Sequence, residues 1–257
     1  MVRARALRRN DALQLRLLVE YDGTAYLGWQ LQPDGPTVQG VLEQALATAL
    51  REPVRVRAAG RTDAGVHATG QVVSVPVTAV PENLSRLLLS LNALTPDDIA
   101  IRELGVVDDA FDPRRHARSR RYQYRILTAR TPSAFWHRYA WHLMVPLDAE
   151  AMARAAAVLV GEHDFVAFQG ADPDPVLSTV RRVFESELVR EGEFLLYRIE
   201  ATAFLKHMVR NIVGTLVEIG RGERPADEMA EILAGRDRRR AGRTAPPRGL
   251  VLQAVRY

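Results

Sequence analysis

The chain has 257 residues, with 35 Lys plus Arg against 31 Asp plus Glu, six His and no Cys. The lack of Cys excludes disulfides, thiolate zinc sites, iron–sulfur clusters and a cysteine nucleophile. Hydrophobic residues at 47% and charged residues at 26% are ordinary globular usage and exclude general disorder. Residues 1–12 form a basic arm with Arg3, Arg5, Arg8 and Arg9, and no apolar core of a secretory signal follows. Leu13 to Tyr21 predicts a strand, turned by Asp22 and Gly23. Thr37 to Arg51 predicts a helix, with Val38, Val41, Leu42, Ala45, Leu46, Ala49 and Leu50 in one stripe. Val54 to Ala58 alternates apolar residues with Arg, as a half-buried strand does, and a Gly-punctuated loop runs from Gly60 to Gly70. Gln71 to Val77 returns as a strand, Leu84, Leu87, Leu88 and Leu91 mark a helix, and Ile99 to Val107 a further strand. These elements make a first lobe, residues 13–112.

The second lobe, residues 113–257, opens with strands at Arg121 to Leu127 and Tyr139 to Met144. Asp148 is an N-cap for a helix through Leu159. Val180 to Arg190 and Phe194 to Ala203 read as a hairpin around Glu191 and Gly192. Helices follow over Lys206 to Ile219 and Ala226 to Leu233, and Gly249 to Tyr257 closes as a strand. The order predicts an α+β fold: two similar lobes, each a mainly antiparallel sheet with helices on one face, and a central cleft for a large ligand. No run reaches the ~18 apolar residues of a membrane span. The expectation is a soluble cytoplasmic protein with no membrane partner.

The net charge is only +4, but it is unevenly spread. No acidic residue lies between Asp112 and Asp148, a window that holds Arg114, Arg115, Arg118, Arg120, Arg121, Arg125, Arg130 and Arg138. Tyr122, Tyr124, Phe135, Trp136, Tyr139 and Trp141 are interleaved with them. Guanidinium groups neutralise phosphates and aromatic rings stack on unpaired bases. A second cluster holds Arg236, Arg238, Arg239, Arg240 and Arg243, opposed only by Asp237. Solvated faces are the plain alternative for either cluster alone. Together they point to a nucleic-acid surface, and toward RNA or a single strand.

The most informative run is Gly60-Arg61-Thr62-Asp63-Ala64-Gly65-Val66-His67-Ala68-Thr69-Gly70. Three glycines let the loop fold tightly between two apolar strands. A carboxylate held there can be a nucleophile, a general base or a metal ligand. A lone Asp offers too few ligands for a metal, and the six His show no ligand spacing. The bland reading is that Asp63 caps a turn through Ala64 and Gly65.

The run resembles the Gly-Arg-Thr-Asp-x-Gly-Val-His motif of the tRNA pseudouridine synthase A family. Glu20-Tyr21-Asp22-Gly23 with Tyr26, Gly28, Trp29 and Gln30 is similar to that family's first strand and turn. Ser90-Leu91-Asn92, Phe111 through Ala117, Arg120-Arg121-Tyr122-Gln123-Tyr124, Gly161 to Phe168, Thr179-Val180-Arg181 and His207-Met208-Val209-Arg210-Asn211 continue the likeness. It runs from about Leu13 to Tyr257.

The resemblance implies that Asp63 is the nucleophile in uridine-to-pseudouridine isomerisation, a reaction that needs no cofactor and no metal. It implies that Tyr122 stacks on the target base and can act as a base, and that Arg210 pairs with the aspartate. On a helical wheel Arg210 falls at the edge of the apolar arc of Leu205, Met208, Val209, Ile212, Val213, Leu216 and Val217, so it can be partly buried and still reach a pocket. Arg61 is expected on the flipped nucleotide or its phosphate, and Arg118, Arg120 and Arg121 on RNA phosphates. His67 reads as a hydrogen bonder that stabilises the loop. The implied substrate is the tRNA anticodon stem-loop at positions thirty-eight, thirty-nine and forty, and the implied assembly is a homodimer. The acidic loop Asp172-Pro173-Asp174-Pro175 departs from an RNA-facing charge pattern. A catalytically silent RNA-binding protein of the same fold is the alternative, which the intact Asp63 loop disfavours. A metal-dependent phosphoesterase would want a second acidic residue beside Asp63, and Asp63 stands alone between Glu52 and Glu82.

Overall fold

The computed structural model describes residues 13–171 and 177–257, so the basic arm and the acidic loop at Asp172 lie outside the described residues. Ten strands are present: β1 (Leu13–Tyr21), β2 (Arg57–Ala58), β3 (His67–Pro76), β4 (Ile99–Asp108), β5 (Ser119–Leu127), β6 (Trp141–His142), β7 (Gly161–Asp164), β8 (Val180–Glu191), β9 (Phe194–Ala201) and β10 (Leu250–Arg256). The α-helices are α1 (Val38–Leu50), α2 (Leu84–Leu94), α3 (Ala149–Ala157), α4 (Met208–Gly220) and α5 (Glu228–Gly235). All ten strands belong to one sheet, ordered β4-β1-β3-β10-β5-β9-β8-β7, with β2 beside β3 and β6 beside β5. Neighbours are antiparallel except β10 with β3 and β6 with β5. β10 is the seam: Val251 lies opposite His67 on one side and Gln123 on the other.

Local chemistry sets the helix starts. Thr37, Asn83 and Asp148 each accept a hydrogen bond from a first-turn N–H of α1, α2 and α3. One buried cluster takes residues from all five helices and from one face of the sheet. The opposite face carries ion pairs, among them Arg121–Glu185, Arg198–Glu187 and Arg256–Glu200. This is the segregation an α+β fold requires, since each element can bury only one side.

α4 is the exception, because all of its residues except Arg210 and Glu218 are buried. Gly214 explains how it can be so enclosed. A Cβ there would sit 1.6 Å from the carbonyl oxygen of Arg243, so segment 241–245 lies directly on the helix. Arg210 is therefore an opening in an otherwise buried helix.

Three expected strands differ. The run from Val54 shrinks to Arg57–Ala58, because the Val56 N–H donates to Glu43 Oε1 on α1 instead of to a strand. Tyr139 to Met144 shrinks to Trp141–His142. β3 begins at His67, inside the stretch expected to be loop, so His67 and Ala68 belong to the sheet. β7, a polar four-residue strand, lacks the apolar alternation that announces a strand.

Candidate active site

The loop between β2 and β3 carries Asp63, and its neighbours clamp it on several sides. The Trp29 N–H donates to the Thr62 carbonyl at 3.0 Å, and the Tyr21 and Thr62 hydroxyls are 2.8 Å apart. Gln71 Nε2 donates to the Gly60 carbonyl at 2.8 Å, and the Val66 N–H to that of Asp63 at 3.1 Å. Gly28, at φ +98°, packs so closely that a Cβ on it would lie 2.6 Å from the Thr62 oxygen. Asp63 is thus held by its backbone, and its side chain is left to face a cleft.

Arg210 Nη1 donates to Asp63 Oδ2 at 2.9 Å, and its Nε donates to the Ala245 carbonyl at 2.8 Å. The fork of the guanidinium is thereby fixed at two points. The Arg210 side chain is 13% exposed and that of Asp63 30%, so the pair sits half in the protein with one side open. The same Oδ2 has a second neighbour, His207 Nε2, at 3.6 Å. His207 caps α4 in a left-handed conformation, φ 58°. Burial pushes its imidazole below the usual value; Asp63 opposes this, and Arg210, Lys206 and Arg238 reinforce it.

The cleft above Asp63 has a volume of about 830 Å³ and is lined by Arg61, Tyr122, Phe204, His207 and Arg210 among others. Tyr122 lies edge-on to Phe204, with ring centres 5.1 Å apart. Burial, then the nearby Tyr21 and Asp63, push the Tyr122 hydroxyl well above its usual value. The phenol therefore stays protonated at neutral pH.

The residues singled out in the sequence divide into two groups. Asp63, Arg210, Tyr122 and the exposed Arg61 come together in the cleft. Arg118 is exposed, but Arg120 and Arg121 correct the expectation of a shared phosphate surface. Arg120 is buried and donates to the carbonyls of Ala59 at 2.8 Å, Thr202 at 2.8 Å and Arg114 at 2.6 Å. Arg121 points to the other face of the sheet and binds Glu185 at 2.6 Å. The C-terminal cluster is largely engaged in pairs within the chain, although Arg236, Arg239, Arg240 and Arg243 stay exposed. Arg236 pairs with Asp164, Arg239 with Asp237 and Arg240 with Glu231, while Arg238 donates to Asn211 and to the Ala241 and Gly242 carbonyls. His67 faces away from Asp63. Its Nδ1 accepts from the Gly23 N–H at 3.1 Å, and its Nε2 meets the Arg138 and Arg248 carbonyls at 3.0 and 3.2 Å.

His207 is the site residue whose role the sequence reading missed. The available signal was its spacing: three residues before Arg210, it shares one helix face with it.

Arg120→Ala is expected to destabilise the protein by about 2–4 kcal/mol, because it strands the buried Ala59 carbonyl and takes the donor from those of Thr202 and Arg114. Urea denaturation measures this. The salt dependence of RNA binding should stay as in the wild type, and a flatter slope would return Arg120 to the phosphate surface.

A family model described as tRNA pseudouridine synthase matches residues 17–114 and 155–257. The tRNA pseudouridine synthase A of Myxococcus xanthus is 48% identical over 245 residues, covering 95% of this chain and 92% of that protein. That of Moorella thermoacetica is 47% identical over 246 residues, covering 95% and 99%. That of Geotalea uraniireducens is 43% identical over 250 residues, again covering 95% and 99%. With likeness running through both halves of the sheet and through the loop that presents Asp63 to Arg210, the chain belongs to the tRNA pseudouridine synthase A family.

Proposed function

We propose that the protein isomerises uridine to pseudouridine in tRNA, at positions thirty-eight, thirty-nine and forty of the anticodon stem-loop, with Asp63 as the nucleophile. The observation that carries this reading is the Asp63 carboxylate, clamped by Arg210 at 2.9 Å on the floor of a cleft wide enough for a nucleotide. The bond from ribose C1′ to N1 of the base breaks, the base turns, and C5 bonds to C1′. Atoms and oxidation state balance, so no cofactor is called for. Arg210 holds the carboxylate in position for attack. Tyr122 offers the ring on which the base stacks, and its protonated hydroxyl can donate but not abstract. Arg61 and Arg118 contact phosphates or the flipped nucleotide.

We place the protein in the cytoplasm, where its substrate is made, and read it as a homodimer whose partner completes a cradle for a folded tRNA. Among the described residues no helix is long and apolar enough to cross a membrane.

The test is conversion of uridine in a purified anticodon stem-loop, mapped nucleotide by nucleotide, in buffer containing EDTA. Pseudouridine at the three positions is the expected result. Activity that vanishes in EDTA and returns with a divalent ion, with RNA folding controlled separately, would overturn the cofactor-free mechanism. Binding with no conversion would favour the silent RNA-binding alternative.

A further inference from the structure

We propose that His207 is the catalytic base that moves the proton from C5 to N1 of the uracil ring. The proposal rests on the function inferred above and adds a step to it. Once C5 has bonded to C1′, C5 carries both its hydrogen and the sugar, and N1 has lost its substituent. The C5–H bond must break, with its electrons returning to the ring, and an N1–H bond must form. A single group that takes the proton at C5 and returns it at N1 balances the step without a co-reactant.

Position is the first argument. His207 Nε2 lies 3.6 Å from Oδ2 of Asp63, the nucleophile of the function inferred above. The imidazole lines the cleft and is 28% exposed, so a ring held over Asp63 can meet it.

The second argument is the backbone. A helix start ordinarily carries Ser, Thr, Asp or Asn in an extended conformation, with the side chain capping a first-turn N–H. α4 has instead His207 at φ 58°, ψ 4°, and no side-chain cap. A non-glycine residue in this region is uncommon, and such conformations concentrate at functional sites. Here the conformation gives up a cap and directs the imidazole to Asp63. Gly170 makes the space, since a Cβ on it would lie 2.7 Å from His207 Nδ1.

Charge is the third argument. The groups acting on the ring are Asp63, Arg210, Lys206 and Arg238. Burial first, and then the three cations, disfavour a charged ring, which favours the neutral imidazole that can accept a proton. When C5 bonds to C1′ and Asp63 is released, a free carboxylate again stands beside the ring. It stabilises the imidazolium at the step that creates one. Other candidates in the neighbourhood fit less well. The Tyr122 phenol is held protonated, and both nitrogens of His67 are engaged by Gly23, Arg138 and Arg248. Asp63 itself is the competing base.

The experiment separates proton transfer from bond rearrangement. Two stem-loops are compared under single-turnover conditions, one with uridine and one with 5-fluorouridine at the target position. The fluorinated base can detach and reattach but has no C5 proton to lose. Asn tolerates the left-handed region, so His207→Asn keeps the backbone. His207→Gly, for which that conformation costs nothing, is the second variant and is read in the same two assays. Uridine conversion should fall about a hundredfold or more, the range general-base loss spans, while rearrangement of 5-fluorouridine stays within about twofold of wild type. Deuterium at C5 should slow the variant more than the wild type. Equal losses on both substrates would overturn the proposal and make His207 a residue that positions Asp63. Unchanged uridine conversion would overturn it in favour of Asp63 as the base. A wild-type protein inactive on uridine would instead overturn the underlying reading of function.

Discussion

Asp63→Asn is expected to lose pseudouridine formation by about 10⁴-fold or more, the scale on which enzymes lose a nucleophile. Its tRNA affinity should stay within about tenfold of wild type, ~1.4 kcal/mol. The amide has the shape of the carboxylate, and Trp29, Tyr21, Gln71 and Gly28 fix the loop through Thr62 and the Gly60 carbonyl. The fold of the loop should therefore survive. An amide is a poor nucleophile, so the glycosidic bond should stay intact. Binding should survive because affinity for RNA comes mainly from cations against phosphates spread over a wide surface. Affinity at several salt concentrations and pseudouridine yield are the two measurements. Pseudouridine made by the variant would remove Asp63 from catalysis. A folded variant that no longer binds would make Asp63 a recognition residue.

Arg210→Ala should cost both activity and stability. It removes the donor on Asp63 Oδ2 and leaves the carbonyl of the buried Ala245 without its partner. Losing a preorganised charged donor at a reacting group typically costs about 10²–10³ in rate. Stranding the carbonyl adds roughly 1–3 kcal/mol of destabilisation. Arg210→Lys is the informative companion. An ammonium is a point donor and cannot hold the carboxylate and the carbonyl in the fixed geometry of a planar fork. Its rate should fall between those of the wild type and Ala. Single-turnover rates and urea midpoints check both variants. An Ala variant with wild-type rate would show that Asp63 works without its guanidinium.

The legible parts of this chain were those decided locally. Thr37 and Asp148 announced their helices, and Glu191-Gly192 announced the β8–β9 hairpin, where Gly192 takes φ +59°. The strand over Val54 to Val56 was misjudged because Glu43, on a helix well before it in the chain, takes the Val56 N–H. The arginines of β5 show the same limit from the other side. Neighbouring strand residues face opposite ways, so alternation alone says that Arg120 and Arg121 cannot both meet one RNA. What Arg120 does instead depends on carbonyls at Ala59 and Thr202, 61 and 82 residues away. The Asp63–Arg210 pair spans 147 residues and was reachable only through the likeness of two separate motifs to one family. His207 left only its spacing from Arg210 as a sign, since its left-handed backbone has neither a glycine nor a capping residue to mark it.

The place of β10 at the seam has a consequence for how the chain is made. Synthesis runs from the N-terminus, and β3 and β5 emerge long before residue 250. Until β10 arrives, each half of the sheet carries an open edge, with β3 on one side and β5 on the other. Unpaired edges of this kind are templates for pairing with other chains, and nascent proteins meet that hazard while they wait. β3 also leads directly out of the Asp63 loop, and β5 carries Tyr122. β10, translated after both, is thus the strand that brings the two halves of the cleft into register. The ribosome delivers the two halves of the cleft unjoined, and their joining waits until β10 has been made.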